Sequence, residues 1–148
     1  MKNFEFRFEK VLNVREIEED LAQNELVKAR HKAKKIERNI NHLNKVQNET
    51  YKFLRKDNND PVKSLQARRY LNANRGKINK AERRLEKQDE IVENKREKVV
   101  EKSQNRKMLE SLKEKAANKF YKKAMKKEQK EIDELATQMS ENSNQQLI

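Results

Sequence analysis

Lys56-Asp57-Asn58-Asn59-Asp60-Pro61 contains the only proline of this chain and divides two long, heavily charged stretches in which apolar residues recur at helical spacing. Asx residues favour turns, and Asp60 followed by Pro61 is a good N-cap and N1 pair. One helix is therefore expected to stop near Leu54 and another to begin at Pro61. The remainder offers almost nothing to end a helix. Its one glycine, Gly76, costs about 1 kcal/mol relative to alanine in a helix interior and is read as tolerated rather than as a break.

Composition decides what those stretches can become. A chain of 148 residues that is 33% hydrophobic, 5% aromatic and 42% charged has too little apolar material for an ordinary globular core. Disorder and elongated helices remain. Abundant Lys, Glu, Arg, Leu, Ala and Gln favour helices, since disordered chains normally carry more Pro, Gly and Ser. The absence of cysteine removes disulfides and thiolate metal sites and is consistent with a reducing compartment. No apolar run reaches membrane-spanning length, and Met1 to Lys10 lacks a signal-peptide core, so a soluble, cytoplasmic protein is expected. The net charge of +12 is concentrated in residues 61–115, with 17 Lys+Arg against 9 Asp+Glu. That field attracts acidic proteins, anionic membranes or nucleic acid, and charge alone does not choose among them.

The apolar rhythm supplies the pairing. From Ala22 the positions step by alternating fours and threes through Leu26, Ala29, Ala33, Ile36, Ile40 and Leu43, then polar Gln47 and Thr50, to Leu54. This is a coiled-coil seam, and its small residues permit close approach. Upstream, Phe4, Phe8, Val11, Val14 and Leu21 extend the stripe with a shift of about one position near Leu21 and Ala22, which predicts a register irregularity. In the second stretch Leu71, Ile78, Leu85, Val92 and Val99 fall seven apart, with mostly polar residues (Ala81, Gln88, Lys95, Lys102) between them. Richer packing is expected at Met108, Leu109, Leu112, Ala116, Phe120 and Ala124. Two such helices joined by a short turn meet as antiparallel neighbours. The expected fold is all-α, a two-helix antiparallel coiled-coil hairpin with unequal arms: a first helix over 4–55, a turn over 56–61, a second helix over 62–138 and a flexible tail over 139–148. Residues beyond about Lys115 then lack an intramolecular partner, although Phe120, Tyr121, Ala124, Met125, Ile132, Leu135 and Ala136 give them an apolar face.

Catalytic and metal chemistry find little support. One glycine cannot build a phosphate-cradling loop. His31 and His42 share an azimuth but stand roughly 16 Å apart along a helix, too far to share a metal. The carboxylate clusters Glu18, Glu19, Asp20 and Glu128, Glu131, Asp133, Glu134 lack the concavity that would desolvate one member. No cofactor, metal or small-molecule substrate is expected, nor enzyme activity. The lysines 119, 122, 123, 126 and 127, with Arg68, Arg69, Arg75, Arg83 and Arg84, raise nucleic-acid binding. Interleaved Glu82, Glu86, Asp89, Glu90, Glu93 and Glu97 instead fit salt-bridged coiled-coil flanks, so no specific nucleic acid is expected.

Three segments together resemble the FliJ family, the coiled-coil component of the flagellar type III export apparatus. They are Phe6-Arg7-Phe8-Glu9-Lys10-Val11-Leu12-Asn13-Val14-Arg15-Glu16, Arg106-Lys107-Met108-Leu109-Glu110-Ser111-Leu112-Lys113-Glu114-Lys115 and Glu128-Gln129-Lys130-Glu131-Ile132-Asp133-Glu134-Leu135-Ala136. The resemblance implies a cytoplasmic stalk, peripheral to the membrane at the flagellar base. Such a stalk enters the pore of the hexameric export ATPase, promotes its assembly and activity, and contacts the export-gate membrane protein and export chaperones. Carried over by position, Phe4, Phe8, Val11, Leu12, Phe120, Met125, Gln129, Ile132, Asp133, Glu134 and Leu135 would face the ATPase. Leu43, Val46, Gln47, Asn48, Glu49 and Tyr70 would face the gate, in a stripe from which this sequence departs at Thr50, Asn74, Lys77 and Ala81. The alternatives from the residues alone are a dimeric coiled-coil spacer or chaperone without an ATPase link, and a non-specific nucleic-acid binder.

Overall fold

A computed structural model describes residues 3–56 and 60–146 and contains two helices, α1 over Glu9–Leu54 (46 residues) and α2 over Pro61–Gln146 (86 residues). The fold is all-α. At the head of α2 the Asp60 carboxylate accepts from the Val62 amide at 3.1 Å, and the Asp60 carbonyl accepts the first helical bond from Ser64 at 2.9 Å. Asp60 is thus the N-cap and Pro61 the first helical residue, whose missing amide would have had no partner there. Helix α1 closes with a tightened last turn, in which the Lys56 amide donates to the Phe53 carbonyl at 3.3 Å. Asp57, Asn58 and Asn59 of the expected turn lie outside the described residues.

Two helix boundaries differ from expectation. Helix α1 begins at Glu9 rather than at residue 4, because the rings of Phe4, Phe6 and Phe8 make their contacts from a non-helical lead. Phe4 packs on Phe120 with centroids 5.7 Å apart, and Phe6 meets Phe8 edge-on at 5.9 Å. Helix α2 passes the expected end at 138 and continues to Gln146. Nothing among Met139 to Gln146 breaks a helix, and propagation adds one hydrogen bond for each residue fixed.

The chain divides into two compact units. The first, the turn unit, is Glu18–Lys102. Its core is Ala22, Leu26, Ala29, Ala33 and Ile40 of α1 against Leu71, Ile78 and Ala81 of α2. The helices run antiparallel, as the Asn74 amide donating to the Leu43 carbonyl and the Gln88 amide donating to the Ala29 carbonyl show, each at 3.0 Å. Both donors are buried. They stand two heptads apart on α2 and their acceptors two heptads apart on α1, so they fix one and the same register. Gln88 fits because Ala29 is small enough to let its amide reach the backbone. Ion pairs Lys95–Glu25 at 4.0 Å and Lys102–Glu18 at 3.5 Å extend the pairing.

The second, the terminal unit, joins Met1–Ile17 to Ser103–Ile148. These segments also run antiparallel: Lys113 pairs with the Glu9 carboxylate at 2.9 Å, and Phe4 meets Phe120. Leu12 is its buried apolar residue, at 3% exposure, while Leu109, Ala116, Phe120 and Ala124 are half-buried. Self-coverage of α2 therefore reaches about Ala124 rather than ending at Lys115, because the non-helical lead adds its own ring contacts.

The seam of α1 shows no register irregularity. Its covered positions run Leu12, Arg15, Glu19, Ala22 and onward in unbroken threes and fours, while Phe8, Val11, Val14 and Leu21 are exposed. The phase is set by the long regular run from Ala22 to Leu54. Following Val14 and Leu21 would have forfeited that run, so half-buried Arg15 and buried Glu19 occupy the seam instead. On α2 the sevenfold repeat holds through half-buried Val92 and Val99, but Met108 and Leu112 are exposed rather than part of the packing.

Candidate functional site

Around α2 in the terminal unit, two faces follow from counting residues. The seam positions Leu109, Lys113, Ala116 and Phe120 face the first segment. Beyond Ala124 every described residue is exposed. There Met125, Ile132, Leu135 and Met139 are 70%, 58%, 59% and 73% exposed, and with Tyr121 they form a stripe in successive steps of four, seven, three and four residues. At 3.6 residues per turn this stripe is offset by about 100° from the seam. It is therefore a separate face and not the seam prolonged. Gln129 donates to the Asp133 carboxylate at 3.1 Å beside it, one helical turn apart.

Residues expected at an ATPase-facing tip are distributed as follows. Phe4 and Phe120 pack on each other. Phe8 is exposed, with the Arg7 guanidinium 5.4 Å from its ring centroid, and Val11 is exposed beside it. Met125, Gln129, Ile132, Asp133, Glu134 and Leu135 are all exposed on α2. Leu12 is a core residue, and its side chain is spent on holding the first segment to α2. Met139 belongs to the same stripe; counting three and four on from Ile132 and Leu135 finds it once the helix is allowed to continue.

In the turn unit, Val46, Glu49 and Tyr70 come together in one groove, with Thr50, Phe53 and Lys63. Leu43 and Gln47 are half-buried in seam positions, and the Leu43 carbonyl is the acceptor for Asn74. Asn48 is exposed on the other side of Gln47. The groove residues absent from the sequence expectation, Phe53 and Lys63, stand one before the seam positions Leu54 and Ser64. That offset is a signal which can be used only once the seam is known. On the opposite flank Arg75 donates to the Tyr51 hydroxyl at 2.7 Å, and this hydrogen bond, with a second from Gln47, holds the phenol below its usual value of 10.0.

Among the described residues no cluster of carboxylates and histidines could hold a metal ion, and no helix is long and apolar enough to cross a membrane. What these faces offer is apolar and charged helix surface for another macromolecule. The family model described as flagellar FliJ protein matches residues 4–145. No curated protein and no solved structure matches the chain.

Proposed function

Since the chain belongs to the FliJ family, it is a coiled-coil protein related to flagellar export, and we propose that it acts as the stalk of the hexameric export ATPase. The observation that carries this reading is the uncovered apolar stripe of α2 from Met125 to Met139. An isolated helix gains most of its stability from packing an apolar face, and a ring of subunits around a central pore supplies such packing from several sides. In this reading the end of α2 enters the pore with Phe8 at its base. It adds subunit contacts that favour the closed hexamer and binds some subunit conformations better than others, which biases the hydrolytic cycle. The groove of Val46, Glu49 and Tyr70 is the proposed contact for the export-gate membrane protein, and export chaperones complete the set of partners.

The test is the hydrolysis rate and ring formation of the purified export ATPase with and without this chain. Full-length protein is expected to raise both. Truncation after Ala124 keeps the Phe4–Phe120 contact and should abolish the stimulation without unfolding the remainder. Full stimulation by the truncated chain would reject the assignment of the stripe. A stable dimer in sedimentation that dissociates on Ile132→Glu would favour the spacer reading instead.

A further inference from the structure

We propose that one side of the terminal unit is a docking face for an acidic amphipathic helix, separate from the stripe assigned above to the ATPase. In an antiparallel pair, the residue that precedes each seam position falls on the same side of both helices. The turn unit displays this construction: Glu18, Leu21 and Glu25, each one before a covered position of α1, share a groove with Lys98, one before Val99 of α2. Those flanks are largely charged, as two-stranded coiled coils require.

In the terminal unit the same flank is apolar on both helices. Val11 precedes Leu12 and Val14 precedes Arg15, while on α2 Met108 precedes Leu109 and Leu112 precedes Lys113. The antiparallel pairing marked by Glu9–Lys113 and Phe4–Phe120 sets Val11 across from Leu112 and Val14 across from Met108. All four are exposed, Met108 at 67% and Leu112 at 50%. Apolar residues at the flanks of both strands widen the burial surface sideways, which is the pattern that seats a third helix.

Charge identifies that helix. The same count along α2, in fours and threes from Met108 and Leu112, continues through Lys115, Lys119, Lys122 and Lys126. These four lysines form no ion pair among the described residues. A helix whose apolar stripe lies on the four-residue patch carries its next turns along the lysine row, where glutamate or aspartate is matched and a basic helix is repelled. The row stands about a third of a turn round α2 from the Met125–Met139 stripe, so both faces can be engaged together.

The experiment measures binding of the full-length chain to a synthetic helical peptide of about three heptads, with leucine at the seam positions and glutamate at the flanks. An otherwise identical peptide with lysine flanks is the control. The acidic peptide is expected to bind and the basic one not to. Met108→Glu with Leu112→Glu, and separately Lys119→Glu with Lys122→Glu, should each weaken the acidic peptide by about tenfold or more, while Met125→Glu with Ile132→Glu leaves it unchanged. Circular dichroism confirms that each variant keeps its helix content, since every altered residue is exposed. Equal binding of the two peptides, or undiminished affinity in either of the first two variants, overturns the proposal. So does binding of anionic phospholipid vesicles in place of the peptide, or a homodimer that Met108→Glu dissociates. Stimulation of the export ATPase by the Met108→Glu, Leu112→Glu variant keeps the two readings distinguishable.

Discussion

Gly76 lies in the interior of α2 with no heavy atom within 4 Å of where a Cβ would stand, and its φ is not positive. It therefore serves neither a close approach nor a left-handed turn, and only the entropic penalty of glycine remains. Gly76→Ala should raise stability by about 1 kcal/mol, read as a higher midpoint in thermal or urea unfolding followed by circular dichroism. The titration of Tyr51 is displaced downward. Because Arg75 and Gln47 donate to its hydroxyl, its phenol ionises below 10.0, and Arg75→Met should move the ultraviolet titration of this tyrosine upward. For an acid whose folded pKa is lowered, the stabilising contribution is present above the unfolded pKa and is lost as pH falls through the folded one. The phenol is protonated in both states near neutrality, so the linkage itself leaves neutral stability untouched and appears only at alkaline pH. Of the residues themselves, the cap at Asp60 and Pro61 was legible in the sequence because both act locally. The coupling of Tyr51 to Arg75 was not, since their meeting depends on the pairing of the two helices.

At the scale of the elements, register is the question, and two side-chain amides answer it. A buried amide left without a partner costs roughly 1–3 kcal/mol, and in the observed alignment Asn74 and Gln88 both find helix carbonyls. A purely aliphatic seam with the same sevenfold repeat would accept a slip of one heptad with little penalty. The Asn74→Leu, Gln88→Leu double variant should therefore keep its helix content and match or exceed the original stability. Disulfide trapping between cysteines introduced on α1 and α2 should nevertheless report more than one alignment, where the parent with the same cysteines reports one. A single alignment in the double variant would remove this role from the amides. The regular part of α2 was readable beforehand because Leu71 to Val99 fall seven apart on a good helix former. The start of α1 was not, because Phe4, Phe8, Val11, Val14 and Leu21 outnumber the residues that occupy the seam, and only the long run downstream fixes the phase. The end of α2 lies past the expected 138 because polarity alone does not stop a helix, and Gln and Glu sustain one well.

For the whole molecule, the family and the class of fold could be read from three segments and one turn, and the match over residues 4–145 secures the first. The apolar run past Lys115 was visible as surplus hydrophobicity. Its separation from the seam was not, nor was the second apolar flank at Val11, Val14, Met108 and Leu112, because both depend on knowing which residues of each helix meet. The +12 charge adds a general pull toward acidic surfaces that weakens with salt; it sets rates of encounter more than the choice of partner.

The end of the first segment's cover at about Ala124 has a thermodynamic corollary. Past that point α2 is a single cylinder seeded by the paired section behind it and held by its own backbone bonds. A receptor that closes around it captures one helix length from a graded set, so grip and order are acquired in the same event. Association should then release more heat and lose more heat capacity than the docking of a rigid peg of equal area, and its affinity should decline steeply as the temperature rises.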